Sequence, residues 1–268
     1  MNLDRCSINS ITLRAAGLQE LIDIAVSHGV PGVALWRDVY AEGGVVLAAK
    51  QIRSAGLRVT SVCRGGMFPV LSTPGRDSIA ADNRRAVDEA HELDAECLVM
   101  VCGAATTKDL AGAREQIESG LRALAPYAAD AGVRLAIEPM HPMMIADRSA
   151  ITSLTEANDL VERIGAPNLG IALDAYHVWW DVSMAAQIQR AGKTLFSVQV
   201  CDWVTPINGQ LSSRGMPGEG VIDLKDFVSQ ADSAGYEGLI EIEVLSEHWW
   251  SESLKNATEA ALRGFAGI

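Results

Sequence analysis

Asp130-Ala-Gly-Val-Arg-Leu-Ala-Ile-Glu138 is the stretch on which the fold is decided. An amphipathic segment runs out at Asp130, a glycine stands where a left-handed helix cap is needed, and an apolar β-type run follows at once. The same logic recurs at Ser54-Ala-Gly-Leu-Arg-Val59, Arg190-Ala-Gly-Lys-Thr-Leu195 and Ser233-Ala-Gly-Tyr-Glu-Gly238, with a looser copy at His28-Gly29-Val30. A recurring helix-to-strand junction marks a β/α repeat around a parallel sheet. Working outward gives eight strands, at 7–13, 32–36, 58–63, 97–102, 135–138, 170–174, 197–201 and 239–244. Helices fall between them, at about 18–27, 44–55, 77–93, 108–129, 153–164, 184–190, 224–233 and 251–265. Eight strands, each followed by a helix, predict a closed (β/α)8 TIM barrel. The alternative, an open doubly wound sheet, calls for a glycine-rich phosphate loop after the first strand, and residues 11–17 hold none. With no linker or low-complexity segment, residues 1–268 are expected to form one domain, a length such barrels commonly reach.

Composition narrows the function. Hydrophobic residues make up 49% of the chain, yet no run is long and apolar enough to span a membrane. The opening MNLDRCSINS lacks the basic-then-apolar order of a secretory signal, so a cytoplasmic location is expected. Cys6, Cys63, Cys97, Cys102 and Cys201 form no C-x-x-C pair, and an odd count suits reduced thiols. A net charge of −12 argues against nucleic acid, whose phosphates are met by clustered Lys and Arg. It is compatible with a divalent cation held by carboxylates.

In a barrel of this kind, active-site groups come from the carboxyl ends of the strands. The fifth strand ends in Glu138, followed by a loop that Pro139 and Pro142 hold extended around His141. The sixth ends in Asp174, with His177 three residues later. The seventh carries Gln199 and Asp202, and the eighth carries Glu241 and Glu243. Those two glutamates share the face opposite Ile240, Ile242 and Val244, and burying them is costly unless they are paired or bind metal. Glu241 is expected to be paired deeper in the barrel. Glu138, Asp174, Gln199 and Glu243 form a mostly oxygen shell that suits Mn²⁺ or Mg²⁺, with Co²⁺ and Zn²⁺ compatible. Singly, each has a structural reading: Asp174 as a turn cap, Gln199 on a backbone group, Glu243 in a salt bridge. Their coincidence at four successive strand ends is what points to a metal.

Every tryptophan lies just beyond a strand end: Trp36, Trp179, Trp180, Trp203, Trp249 and Trp250. Trp36 and Trp179, together with His177 and His248, are candidates to line a sugar site, against the alternative of packing under loops. Arg214, in the glycine-rich run from Ser212 to Gly220, is placed to clamp a hydroxyl, carboxylate or enolate oxygen.

On the residues IEP at Glu138, LDAYH at Asp174 and His177, RGMPGEGVID from Arg214 and YEGLIEIEV up to Glu243, the chain resembles a known group. This is the sugar phosphate isomerase/epimerase group of the xylose isomerase-like TIM barrels, and the resemblance covers nearly the whole length. It implies that Glu138, Asp174 and Glu243 bind a divalent metal and that Arg214 and His177 contact substrate. One departure matters: the family usually supplies His where this chain has Gln199, although Asp202 is in place. With EPMHP and YHVWWD, the chain is similar to the branch that includes the catalytic α subunits of C-glycoside deglycosidases. That implies a lyase cleaving 3-oxo-glycosides by elimination, with a Mn²⁺-type ion and a small β-sheet partner subunit. In that reading His141 takes the proton next to the sugar carbonyl. In the isomerase or epimerase alternative, Glu138 and Glu243 shuttle the proton and His141 orients a hydroxyl. A non-catalytic sugar-binding subunit is the third reading. The expected ligand is a small sugar or glycoside, assembly being through a β subunit or further copies of the chain, with neither nucleic acid nor membrane as partner.

Overall fold

The computed structural model describes residues 1–210 and 212–268. Eight parallel strands close into a barrel: β1 (Cys6–Asn9), β2 (Gly32–Trp36), β3 (Arg58–Gly66), β4 (Leu98–Val101), β5 (Leu135–Ile137), β6 (Leu169–Asp174), β7 (Leu195–Val200) and β10 (Ile240–Ile242). Each pairs with its sequence neighbour in the ring, and β1 also pairs with β10, which removes both sheet edges. The outer layer comprises α1 (Leu18–Ser27), α2 (Val45–Ser54), α3 (Thr73–Glu92), α4 (Leu110–Asp130), α5 (Leu154–Ile164), α7 (Met184–Ala191), α8 (Leu224–Ser233) and α10 (Leu254–Ala266). Their apolar faces, with Leu21, Ile52, Leu121 and Phe227 fully or almost fully buried, pack on the outside of the barrel in one continuous core. Among the described residues no helix is long and apolar enough to cross a membrane.

The junction motif behaves as its chemistry dictates. Gly56, Gly132 and Gly235 end their helices at φ values of 71°, 72° and 95°, a left-handed backbone that a side chain would strain.

Inside the barrel the side chains are small. Cys97, Val99, Ala136 and Ala172 form a separate apolar cluster with Phe196. Buried hydroxyls of Ser7, Ser61 and Ser197 also lie inside, with the carboxylate of Glu241 among them. Small interior residues leave room for this polar layer below the strand ends.

Several element ends differ from the sequence expectation, each for a local reason. β1 stops at Asn9 and not at 13, because the Asn9 side chain accepts from Ile11 N at 3.1 Å and its carbonyl from Thr12 N at 3.0 Å, turning the chain. α3 starts four residues before the expected 77, at Thr73, because Ser72 caps it and Pro74 fits its first turn. β10 is shorter than 239–244, so Glu243 stands one residue past the strand. A single helical turn, α6 (Ala175–Val178), and the short α9 (Glu247–Ser251) follow strands six and ten of the chain. A two-stranded ribbon, β8 (Asp202–Trp203) with β9 (Arg214–Gly215), rises beside the barrel mouth.

Candidate active site

Glu138, Asp174, Gln199 and Glu243 are all at least 96% buried, and they come from four neighbouring strands of the ring. Asp174 serves two neighbours with separate oxygens. Its Oδ1 accepts from Tyr176 N at 2.9 Å and caps α6, while its Oδ2 accepts from Arg214 Nη1 at 2.8 Å. The cap and the ion pair therefore coexist. Because α6 is helical, the three-residue spacing puts His177 on the same face as Asp174, with Nε2 3.6 Å from Asp174 Oδ2 and 4.0 Å from Glu138 Oε1. Glu138, Asp174 and His177 each offer a ligand atom, all within 4.8 Å of one another.

Arg214 is 3% exposed and reaches the centre from the ribbon, where its own N–H donates to Leu245 O at 3.0 Å. Its Nη1 lies 3.6 Å from Glu243 Oε2, and its guanidinium lies 4.5 Å from the Tyr176 ring centroid. The loop behind it is tied down by Asp202, which accepts from Gly218 N and Ile222 N at 3.0 Å each. Gly220 makes this approach feasible, since a Cβ there would stand 2.2 Å from Trp203 O. Arg214 Nε is buried without a partner, a donor left over for a ligand.

The remaining residues divide by position. Trp36 donates from Nε1 to Glu243 Oε1 at 3.1 Å, and Asn9 donates to the same oxygen at 3.1 Å. Trp36 therefore holds Glu243. Asn9 escaped the sequence reading because a lone Asn on a poorly patterned first strand carries no signal. Gln199 Nε2 donates to Glu241 Oε2 at 3.3 Å, whereas its Oε1 is buried and unpartnered. Trp179 is half-buried, its Nε1 also without a partner and its ring 5.5 Å from Trp203. His248 is exposed on α9 with its ring against Trp249, apart from the buried carboxylates. It is not brought to the centre because α9 carries it outward.

His141 is half-buried between aromatic rings, 5.0 Å from Trp203 and 5.6 Å from Trp180. Its backbone N–H donates to His177 Nδ1 at 3.2 Å, and on the far side of that ring Arg214 Nη2 lies 3.1 Å from His177 Nε2. The Nδ1 of His141 accepts from Met143 N at 3.2 Å, leaving Nε2 as the ring nitrogen free to meet a ligand. Tyr176, stacked on Trp203 at 4.7 Å, continues this wall toward Arg214.

Burial dominates the electrostatics. It raises the carboxyls of Glu138 and Asp174 above their ordinary range and pushes Glu243 up to about 7, with neighbouring carboxylates adding to the shift at Glu138 and Glu243. Arg214 opposes that rise at all three. Burial likewise holds His177 well below, and His141 below, the usual imidazole range. Among the described residues the Glu138 carboxylate accepts no hydrogen bond. Three buried carboxylates, one guanidinium and an orphaned amide oxygen make a donor set short of positive charge, which fits a divalent cation held by Glu138, Asp174, Glu243 and Gln199.

Known proteins share this fold. An inosose isomerase of Bacillus velezensis is 26% identical over 271 aligned residues, covering 95% of this chain and 94% of that protein. A 3-dehydroshikimate dehydratase of Pseudomonas aeruginosa is 29% identical over 168 residues, 61% of this chain, and the alignment spans only 25% of that longer protein. Among solved structures, protein SMc04130 from Sinorhizobium meliloti 1021 superposes with a TM-score of 0.96 at 42% identity, over 99% of this chain and 98% of that one. The IOLI protein, solved with a zinc atom, gives a TM-score of 0.86 at 18% identity, over 98% and 97%, a likeness of fold. The family described as xylose isomerase-like TIM barrel matches residues 22–265. With that match across most of its length, the chain belongs to the xylose isomerase-like TIM barrel family.

Proposed function

We propose that the protein is a divalent-metal-dependent enzyme that removes a proton next to the carbonyl of a cyclic, polyhydroxylated oxo compound and expels the group on the next carbon, as in cleavage of a 3-oxo-glycoside. The observation that carries this reading is the charge imbalance: Glu138, Asp174 and Glu243 are buried around the single guanidinium of Arg214. A divalent ion balances the excess, and when bound it draws charge onto the substrate's carbonyl oxygen and acidifies the adjacent C–H.

The chain's own groups supply the remaining chemistry. Glu138, free of hydrogen bonds and destabilised as an anion by burial, accepts the α proton. His141 meets the substrate through Nε2, which carries the proton of the neutral ring while Met143 N–H occupies Nδ1. Through Nε2–H it donates a hydrogen bond to the departing oxygen, and the proton taken up by Glu138 leaves with the expelled group. This differs from the sequence expectation, in which His141 is the base, and the Met143 hydrogen bond is the reason. Trp180, exposed beside His141, offers a face to an aromatic aglycone, Trp203 backs the His141 ring, and the unused Nε of Arg214 meets a substrate oxygen.

Elimination is supported by the relative named as a dehydratase, since such an enzyme expels water. Isomerisation or epimerisation is the second reading. It is favoured by the full-length alignment with an inosose isomerase and by the presence of both Glu138 and Glu243 for a proton shuttle. Both begin with the same proton removal. The deciding experiment follows exchange in D₂O with Mn²⁺ on a free ketohexose and on a 3-oxo-glycoside with an aromatic aglycone. Release of the aglycone, abolished in His141→Ala while Mn²⁺ still binds, is the expected result. Deuterium entering the ketose alone would replace elimination with isomerisation. Neither event, with Mn²⁺ bound, would point to a missing partner subunit or an untried substrate.

A further inference from the structure

Below the strand ends, Gln199 of β7 and Glu241 of β10 are direct partners across the parallel ladder. Both are buried, Glu241 completely. Glu241 is anchored from two sides: Ser61 Oγ of β3 donates to its Oε2 at 3.0 Å and Ser197 Oγ of β7 to its Oε1 at 3.2 Å. Gln199 Nε2 adds a third donor, to Oε2 at 3.3 Å. A carboxylate so surrounded is an acceptor only, and a reversed amide would set oxygen against oxygen. The amide carbonyl is therefore turned away from Glu241, and it is the one Gln199 atom buried without a partner. On its other side Gln199 is in register with Asp174, whose carboxylate lies in the charged centre.

We infer that Glu241 is a positioning residue that fixes the Gln199 amide so that its carbonyl oxygen, and not its nitrogen, meets the cation, and that the Gln199–Glu241 pair thereby sets which metal the site prefers. The inference rests on the proposed cation centre. A neutral amide oxygen adds a hard ligand and favours Mn²⁺ or Mg²⁺. The same carboxylate would hold an imidazole by its N–H, the arrangement by which metal-bound histidines are oriented, so a histidine at 199 would tilt the site toward Zn²⁺.

The test measures metal binding and not turnover. Stripped protein is titrated with Mn²⁺ alone and with Zn²⁺ alone, in competition with a fluorescent chelator. Glu241→Gln should weaken Mn²⁺ binding by about 10- to 100-fold, the usual effect of losing such an outer partner. Gln199→His should shift the Zn²⁺-to-Mn²⁺ affinity ratio toward Zn²⁺, and adding Glu241→Gln to it should cancel that gain. If Glu241→Gln does not fold, the Ser61→Ala/Ser197→Ala double variant, which keeps every ligand, should weaken Mn²⁺ in the same direction. A folded Glu241→Gln, or the serine double variant, binding Mn²⁺ as the unaltered protein does would overturn the inference and leave Glu241 a structural residue. Failure of the unaltered protein to bind either ion would overturn the cation centre and this inference with it.

Discussion

Around Arg37 and around Arg214 the chain builds two charge clusters of opposite character. Arg37 donates through Nε and Nη2 to Glu89, at 2.6 and 3.0 Å, and through Nη1 to Asp82 at 3.1 Å. Tyr40 OH adds a bond to Glu89 at 2.9 Å, and Arg85 contacts both acids. Two guanidiniums face two carboxylates, on side chains that still reach water. Nothing is left over, and the cluster's work is to tie the turn after β2 to α3. Around Arg214 the arithmetic fails: one guanidinium faces Asp174 and Glu243, with Glu138 close by, all out of water. Balanced charge at a half-buried seam ties two elements together, whereas unbalanced charge among buried groups at the strand ends marks the candidate site.

One substitution in each cluster separates the two. Arg214→Met should destabilise the metal-free protein by about 3–5 kcal/mol, because breaking a buried pair strands the carboxylates. Urea denaturation reads this, and added Mn²⁺ should recover much of the loss by binding the folded state. Recovery failing to appear would remove the link between Arg214 and the cation centre.

pH sharpens the contrast. Without metal, Glu243 is pushed up from 4.5 to about 7, chiefly by burial. The folded chain then holds this proton more tightly than the unfolded chain. That contribution to stability is complete below pH 4.5 and is lost as pH rises to about 7. The melting temperature of stripped protein should fall across that window, and saturating Mn²⁺ should flatten or reverse the trend. A metal-free melting temperature that climbs instead would contradict the destabilised carboxylates.

The smallest effect belongs to the balanced cluster. Glu89→Gln weakens the two bonds from Arg37 and the one from Tyr40 and should cost about 1.5–3 kcal/mol. Its Mn²⁺ affinity and pH trend should match the unaltered protein; a change in either would mean that the seam and the site are coupled.

Much of this was legible before folding. The Ala-Gly junctions announced β/α repeats because a left-handed cap is a local requirement that only glycine meets cheaply. Period-two alternation placed Glu241 and Glu243 on one face, and the position of Asp174 and His177 after an apolar run put them at a strand end. Those inferences need only nearest-neighbour geometry. The first strand's early end at Asn9 and the start of α3 at Thr73 were missed because side-chain caps at Asn9 and Ser72 outweighed the apolar pattern.

The sequence by itself determined the repeat, the closed barrel it implies and the oxygen-rich set of residues gathered at one end, because periodicity and cap chemistry are written in consecutive residues. Only the tertiary structure decided how those residues share their atoms. It gave the two oxygens of Asp174 separate partners, turned Trp36 from a candidate wall into a brace for Glu243, left His248 outside, and set Tyr176 beneath Arg214. These outcomes depend on partners as far apart as Trp36 and Glu243, which meet only when the ring of strands closes and its twist fixes which side chains face one another.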